Sequence, residues 1–134
     1  MSVWKYEDIH QERSIHELFG FNIHSFFVKP LPLISRMLEL YTDKESIVLD
    51  LFAGTATTAH AVMKLNAEDR GNRKFICIQF PEPTQPRSEV SNAGYPTIAD
   101  FAKERIRRAG DLYDNNNVLN GIFTDVGFKA YKLS

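Results

Sequence analysis

The run Ile47-Val48-Leu49-Asp50-Leu51-Phe52-Ala53-Gly54-Thr55-Ala56-Thr57-Thr58-Ala59-His60-Ala61-Val62 constrains the fold more than any other stretch of the chain. It opens as a short, β-branched, continuously apolar segment, the pattern of a strand covered on both faces. An acid ends that segment, small residues follow, and a helical stretch takes over. A strand feeding a helix through a tight loop is the opening of a β-α-β unit. Such a loop suits an adenosine-bearing cofactor. Gly54 reaches torsions closed to other residues, and amides at a helix start favour a carboxylate. Asp50, at the carboxyl end of the strand, is placed to accept bonds from an ammonium group. Spacing alone fits equally an ordinary strand-to-helix turn with a capping threonine. The loop is neither a Walker loop, having no Gly-Lys-Thr, nor a full G-x-G-x-x-G.

The flanking pattern repeats this alternation. Ser14-Ile15-His16-Glu17 fits a capping box and predicts a short helix from there to near Gly20. Residues 1–29 form an aromatic arm, with Phe19, Phe21, Phe26 and Phe27, expected to pack on a domain spanning 30–134. Leu33, Ile34, Met37, Leu38 and Tyr41 recur at helical spacing behind Pro30 and Pro32. A buried strand is predicted over 47–52, a helix over 57–65 and a polar loop over 66–73. A second strand runs over 74–80, ended by Pro81 and Pro83. A proline-rich loop follows to 96. Ile98, Phe101, Ala102, Ile106 and Ala109 mark one face of a helix over 97–109, closed by Gly110. Residues 111–121 read as a surface excursion. The alternation of Gly127 to Leu133 predicts a third strand. The order predicts an α/β fold with at least three parallel strands, right-handed crossovers and flanking helices.

Composition narrows the function classes. At 134 residues the chain is long enough for one core. The one cysteine, Cys77, lies in an apolar run and reads as a small hydrophobe in a reducing compartment. A net charge of −1 gives no bulk attraction for nucleic acid. No apolar stretch approaches the roughly 18 residues of a membrane span. Met1-Ser2-Val3-Trp4-Lys5 lacks a signal-peptide core, so the cytoplasm is expected. His10, His16, His24 and His60 have no cysteine or acid at metal-ligand spacing, so no metal site is expected. His60 reads as a packed residue rather than a base. Lys103, Arg105, Arg107 and Arg108 fit either phosphate contacts or a solvated face. Asp100, Glu104 and the Glu104–Arg108 spacing favour the solvated face.

Leu49 to Val62 resembles the D-x-F-A-G-S-G-T-T-A-H-A-V cofactor motif of the DNA adenine-N6 methyltransferases. Leu65 to Ile76 is similar to the modification subunits of type III restriction-modification systems. So are Phe27-Val28-Lys29-Pro30-Leu31-Pro32-Leu33-Ile34, Ile98 to Ala109 and Gly127-Phe128-Lys129. The resemblance covers nearly the whole chain. It implies a partial Rossmann-like methyltransferase fold and a site for S-adenosylmethionine. Asp50, Phe52, Ala53 and Gly54 would line that site, with Thr55, Thr57 and Thr58 nearby, and Lys29 and Pro30 reaching it. Gln79 and Glu82, after the second strand, are candidates for the ribose hydroxyls. This chain has Thr55-Ala56 where the family usually has Ser-Gly. Alanine there costs little at an ordinary torsion and more at positive φ.

No Asp-Pro-Pro-Tyr tetrapeptide, the family's catalytic signature, occurs in the chain. In the subclass whose catalytic motif precedes the cofactor loop, this chain would begin after that motif. The resemblance then implies the cofactor-binding, C-terminal part of a site-specific methyltransferase, inactive alone. Its partners would be DNA, through the parent enzyme, and a restriction subunit or the catalytic half. The alternative is a non-catalytic remnant acting as a binding or assembly module. In either case the Ile47–Phe52 strand would offer an open apolar edge for self-association.

Overall fold

The structure, a computed structural model, describes residues 13–121 and 124–134. The beginning of the aromatic arm, with His10, lies outside the described residues. In chain order the elements are α1 (Arg13–Phe19), α2 (Leu31–Tyr41), β1 (Ile47–Asp50), α3 (Thr57–Asp69), β2 (Lys74–Cys77), α4 (Glu89–Asn92) and α5 (Ile98–Leu119).

β1 and β2 pair in parallel, in the register Ile47↔Lys74 through Asp50↔Cys77. Parallel neighbours cannot be joined by a hairpin, and α3 provides the crossover. That helix is buried nearly all round, from Thr57 to Met63 and again at Leu65 and Asn66. It lies between two helices. Ala61, Val62 and Leu65 pack with Leu31 and Leu38 of α2. Ala59 and Met63 pack with Ala102, Ile106 and Ala109 of α5. Alanines on both sides of the α3–α5 contact let the helices approach closely. A further cluster joins Ile15, Ile23 and Val28 of the arm to Val90 and Phe101. Phe101 stacks on Phe19 with ring centroids 4.5 Å apart and meets Tyr95 edge-on at 5.4 Å.

The α/β alternation and the parallel pairing are as the sequence predicts. Several details differ. The strands are shorter and half-buried rather than covered on both faces. Val48, Phe75 and Cys77 face the helices. Ile47, Leu49, Ile76 and Ile78 are 45% to 66% exposed on the other face. The continuous apolar run is therefore two apolar faces, of which the described residues cover one.

No third strand forms over 127–133 among the described residues. Phe128 packs into the α3–α5 cluster, while Tyr131 and Leu133 stay exposed. The segment follows a helix instead of a sheet edge, so its alternation has no ladder to join.

Gly110 does not close α5, which continues to Leu119. Its lack of a side chain serves a close approach: a Cβ there would lie 3.3 Å from the Val126 side chain and carbonyl. α3 also runs beyond the expected end to Asp69, shrinking the polar loop. Within the proline-rich stretch, Ser88 caps α4 by accepting from the Ser91 N–H. At the other end of the chain, Ser14 lies inside α1, and its hydroxyl serves a distant partner rather than a cap. No helix among the described residues is long and apolar enough to cross a membrane.

Candidate functional site

β1 ends at Asp50, and the backbone there turns sharply. The Asp50 carbonyl accepts from the Ile78 N–H at 2.9 Å, and the Ala53 N–H returns to the Ile78 carbonyl at 3.0 Å. The loop is thus laced to the continuation of β2. Gly54 takes a left-handed φ of +56°, and a Cβ placed on it would meet nothing within 4 Å. Phe52 stands out beside it, 82% exposed.

The Asp50 carboxylate accepts from the Phe52 N–H at 3.1 Å, from Lys29 Nζ at 3.1 Å and from Thr58 Oγ1 at 2.6 Å. A carboxylate offers about four lone-pair sites, so one remains for a further donor. Burial raises its pKa, but the bonds from Thr58, Lys29 and Phe52, with the Lys29 charge, outweigh it and hold the carboxyl below its ordinary value. Lys29 also donates to the Phe52 carbonyl at 2.8 Å, and its own carbonyl accepts from Thr57 Oγ1 at 2.9 Å. Pro30 follows as the residue capping α2. Lys29, Asp50, Phe52, Thr57 and Thr58 therefore meet at one place, although Lys29 and Asp50 are 21 residues apart in sequence.

Other expected residues take supporting parts. The amides of Phe52, Ala53, Gly54 and Ala56 all donate within the chain, so they form no open cradle for a carboxylate. Gln79 spends its side chain on the loop. Its Oε1 accepts from the Gly54 N–H at 2.7 Å, and its Nε2 donates to the Phe80 carbonyl at 2.9 Å. Glu82 is exposed beyond β2, with its backbone bonded to Phe80 and Ile98. Cys77 is half-buried; burial first, and then Asp50, push its thiol up to about 11, so it stays protonated.

Ala56 adopts φ 63° and ψ 36°, left-handed and buried. A residue with a Cβ is disfavoured there by roughly 1–2 kcal/mol, so the Thr55-Ala56 departure carries strain. Both threonines flanking it touch Arg105, which is 0% exposed. Arg105 Nη1 donates to Thr55 Oγ1 at 2.9 Å and Thr57 Oγ1 at 2.8 Å, with the Thr55 carbonyl at 3.3 Å. Its Nη2 donates to Ser14 Oγ at 3.0 Å, and its Nε to His60 Nδ1 at 3.3 Å.

The solvated-face reading of the basic helix therefore fails at Arg105. It holds at Lys103, paired with Asp100, and at Arg107, paired with Glu104. Arg108 also pairs with Glu104 and lies over the Phe19 ring at 4.4 Å. The signal for Arg105 was its position. Residues 101, 102, 105, 106 and 109 form one stripe of a 3.6-residue helix, with an arginine inside the apolar face.

A ligand with a cationic end and an adenosine would meet a carboxylate with a spare acceptor site, an exposed aromatic ring and open space over Gly54. The residues fit such a group. A family described as DNA methylase matches residues 1–83. The chain is 40% identical over 124 residues to the type III restriction-modification enzyme StyLTI Mod subunit of Salmonella typhimurium, covering 92% of this chain and 18% of that protein. It is 40% identical over 105 residues to the EcoP15I Mod subunit of Escherichia coli, covering 78% and 15%. It is 28% identical over 115 residues to the type II methyltransferase M.KpnI of Klebsiella pneumoniae, covering 84% and 27%. The chain thus spans less than a fifth of the two Mod subunits. On the match over most of its length, the chain belongs to the DNA methylase family.

Proposed function

We propose that this chain supplies the S-adenosylmethionine-binding part of a site-specific DNA adenine-N6 methyltransferase of a restriction-modification system. The observation that carries the reading is the Asp50 carboxylate. It is held at the end of β1 by Lys29 and Thr58, beside the exposed Phe52 ring and the open space over Gly54. Asp50 would take the cofactor's ammonium group, and Phe52 would offer an apolar surface to its adenosine. Lys29, Thr57, Thr58 and Gln79 hold these in place, Pro30 would reach the site from the start of α2, and Glu82 is the free carboxylate nearest in sequence to the end of β2 for the ribose hydroxyls. Bound there, S-adenosylmethionine supplies the methyl group for an adenine amino nitrogen. No residue of this chain is assigned a catalytic part. DNA and a restriction subunit would be partners of the whole enzyme, in keeping with the similarity to type III Mod subunits.

The test is a calorimetric titration of the purified chain with S-adenosylmethionine, with Asp50→Ala as the control. Saturable binding that disappears in the variant is the expected result. A folded chain that takes up no cofactor would sink the reading. The second reading, an assembly module, is favoured by one observation: the bare apolar face of Ile47, Leu49, Ile76 and Ile78.

A further inference from the structure

Arg105 is the largest fully buried side chain among the described residues. No described carboxylate pairs with it. Its bonds go to neutral acceptors on the loop and on two other helices: Thr55 on the loop, Thr57 and His60 on α3, and Ser14 on α1. A buried cation without a counter-ion is a poor device for stability, because desolvation is repaid only by neutral hydrogen bonds. Its geometry has a clearer use. One nitrogen, Nη1, reaches both residues that flank Ala56, the non-glycine residue whose left-handed φ begins α3. Ala56 itself bonds only through its backbone, from its N–H to the Ala53 carbonyl and from its carbonyl to the His60 N–H. Restoring an ordinary torsion at Ala56 would swing Thr55 and Thr57 apart, and the guanidinium resists that swing. A lysine cannot stand in. Its single nitrogen lacks the planar fork that spans both threonines while also reaching His60 and Ser14.

We propose that Arg105 is a positioning residue for the cofactor loop, acting through Thr55 and Thr57 to hold Ala56 in its left-handed conformation. This rests on the cofactor reading above. It predicts a specific rescue. Glycine at position 56 takes the same torsion without strain, so it replaces what the guanidinium provides. General support of the core by Arg105 would show no such rescue.

The experiment is a double-mutant cycle in the full chain, read by S-adenosylmethionine titration and by hydrogen exchange of residues 53–58 without cofactor. Arg105→Lys is expected to weaken binding by about tenfold and to speed exchange in the loop. Adding Ala56→Gly is expected to recover most of both losses. Thr55→Val, which keeps shape and removes one acceptor, is the companion variant should Arg105→Lys not fold, with the same rescue expected. Unchanged binding in the Arg105→Lys or Thr55→Val protein overturns the proposal. So does a double variant no better than the single one. If the unaltered chain takes up no cofactor, the cofactor reading fails, and exchange alone decides the positioning role. Faster exchange reversed by glycine supports it, and equal exchange overturns it.

Discussion

Replacing His60 with glutamine tests the buried network by its pH dependence. His60 Nδ1 faces the Arg105 Nε–H donor at 3.3 Å, and Nε2 faces the Tyr113 hydroxyl at 3.1 Å. A donor at Nδ1 makes that nitrogen the acceptor, so the neutral ring carries its hydrogen on Nε2. A second proton would have to point at a guanidinium. Burial above all, then the positive charges of Arg105 and Lys64, hold the imidazole well below its ordinary 6.5. Burial also lowers Arg105, to about 9, which leaves it charged at neutral pH. The unfolded chain takes up a proton at His60 near pH 6.5 and the folded chain does not. Stability from this group is therefore complete above that value and falls as the pH drops below it, until the folded value is reached. For one proton the slope approaches about 1.4 kcal/mol per pH unit. That is a visible part of a domain's usual 5–15 kcal/mol or so. The His60→Gln amide accepts from Arg105, donates to Tyr113 and does not titrate. Urea unfolding followed by circular dichroism, at about pH 7 and about pH 5, should show the extra acid loss only in the parent chain. Identical pH dependence in the two proteins would refute a neutral, buried His60.

Asp50 gives a second acid signature. Its contribution is complete above the ordinary carboxyl value of 3.8 and is lost as the pH falls through its lowered folded value. Asp50→Asn should lack that step in an acid titration followed by circular dichroism, and should also lose cofactor binding in calorimetry. Gln79→Ala leaves the Gly54 N–H without its acceptor, at a cost of about 1 kcal/mol in urea unfolding and with faster amide exchange at Gly54. Phe101→Ala removes the ring stacked on Phe19 and should cost about 3–5 kcal/mol in the same unfolding measurement; a loss below about 1 kcal/mol would mean the arm does not pack there. The bare sheet face predicts self-association: sedimentation at rising concentration should show dimers or larger species, reduced by Leu49→Lys. A concentration-independent monomer would count against it.

What was legible in the sequence was whatever depends on local pattern. The apolar runs and the periodicity of Leu33 to Tyr41 placed β1, β2 and α2, because strand and helix periods differ and neither run is interrupted. Asp50 and Gly54 were legible as a strand-to-helix loop because an apolar run ends at the acid and small residues follow, although spacing alone fitted an ordinary turn equally well. What was not legible depends on contacts distant in sequence. Gly110 looks like a helix terminator, but its conformation is helical and its missing side chain makes room for Val126. Residues 127–133 alternate like a strand, yet Phe128 finds its partners on helices. Ser14 reads as a cap in its own tetrapeptide, while its hydroxyl bonds to Arg105, 91 residues away. Arg105 was obscured by composition. Three other basic residues nearby are solvated or half-buried, and a charge count cannot tell which one turns inward.

These contacts also say where the order of the loop comes from. Gln79 holds Gly54 from the end of β2, Lys29 holds Asp50 and Phe52 from the arm before α2, and Arg105 holds both flanks of Ala56 from α5. Each is a side chain from a different segment bonding to the loop. None depends on the outer face of the sheet, where Ile47, Leu49 and Ile76 are bare. Anything that docks on that face therefore meets a loop already shaped, and adds neighbours rather than conformation. Preorganisation of this kind lowers the ordering cost of binding a ligand. It separates two roles within one small chain: a loop whose geometry is fixed from the helical side, and an apolar face open to association. Substitutions at Arg105, Gln79 or Lys29 should then alter the loop without altering association. Substitutions at Leu49 or Ile76 should do the reverse, because both side chains stand exposed on the outer face while the bonds that hold the loop are made by Arg105, Gln79 and Lys29.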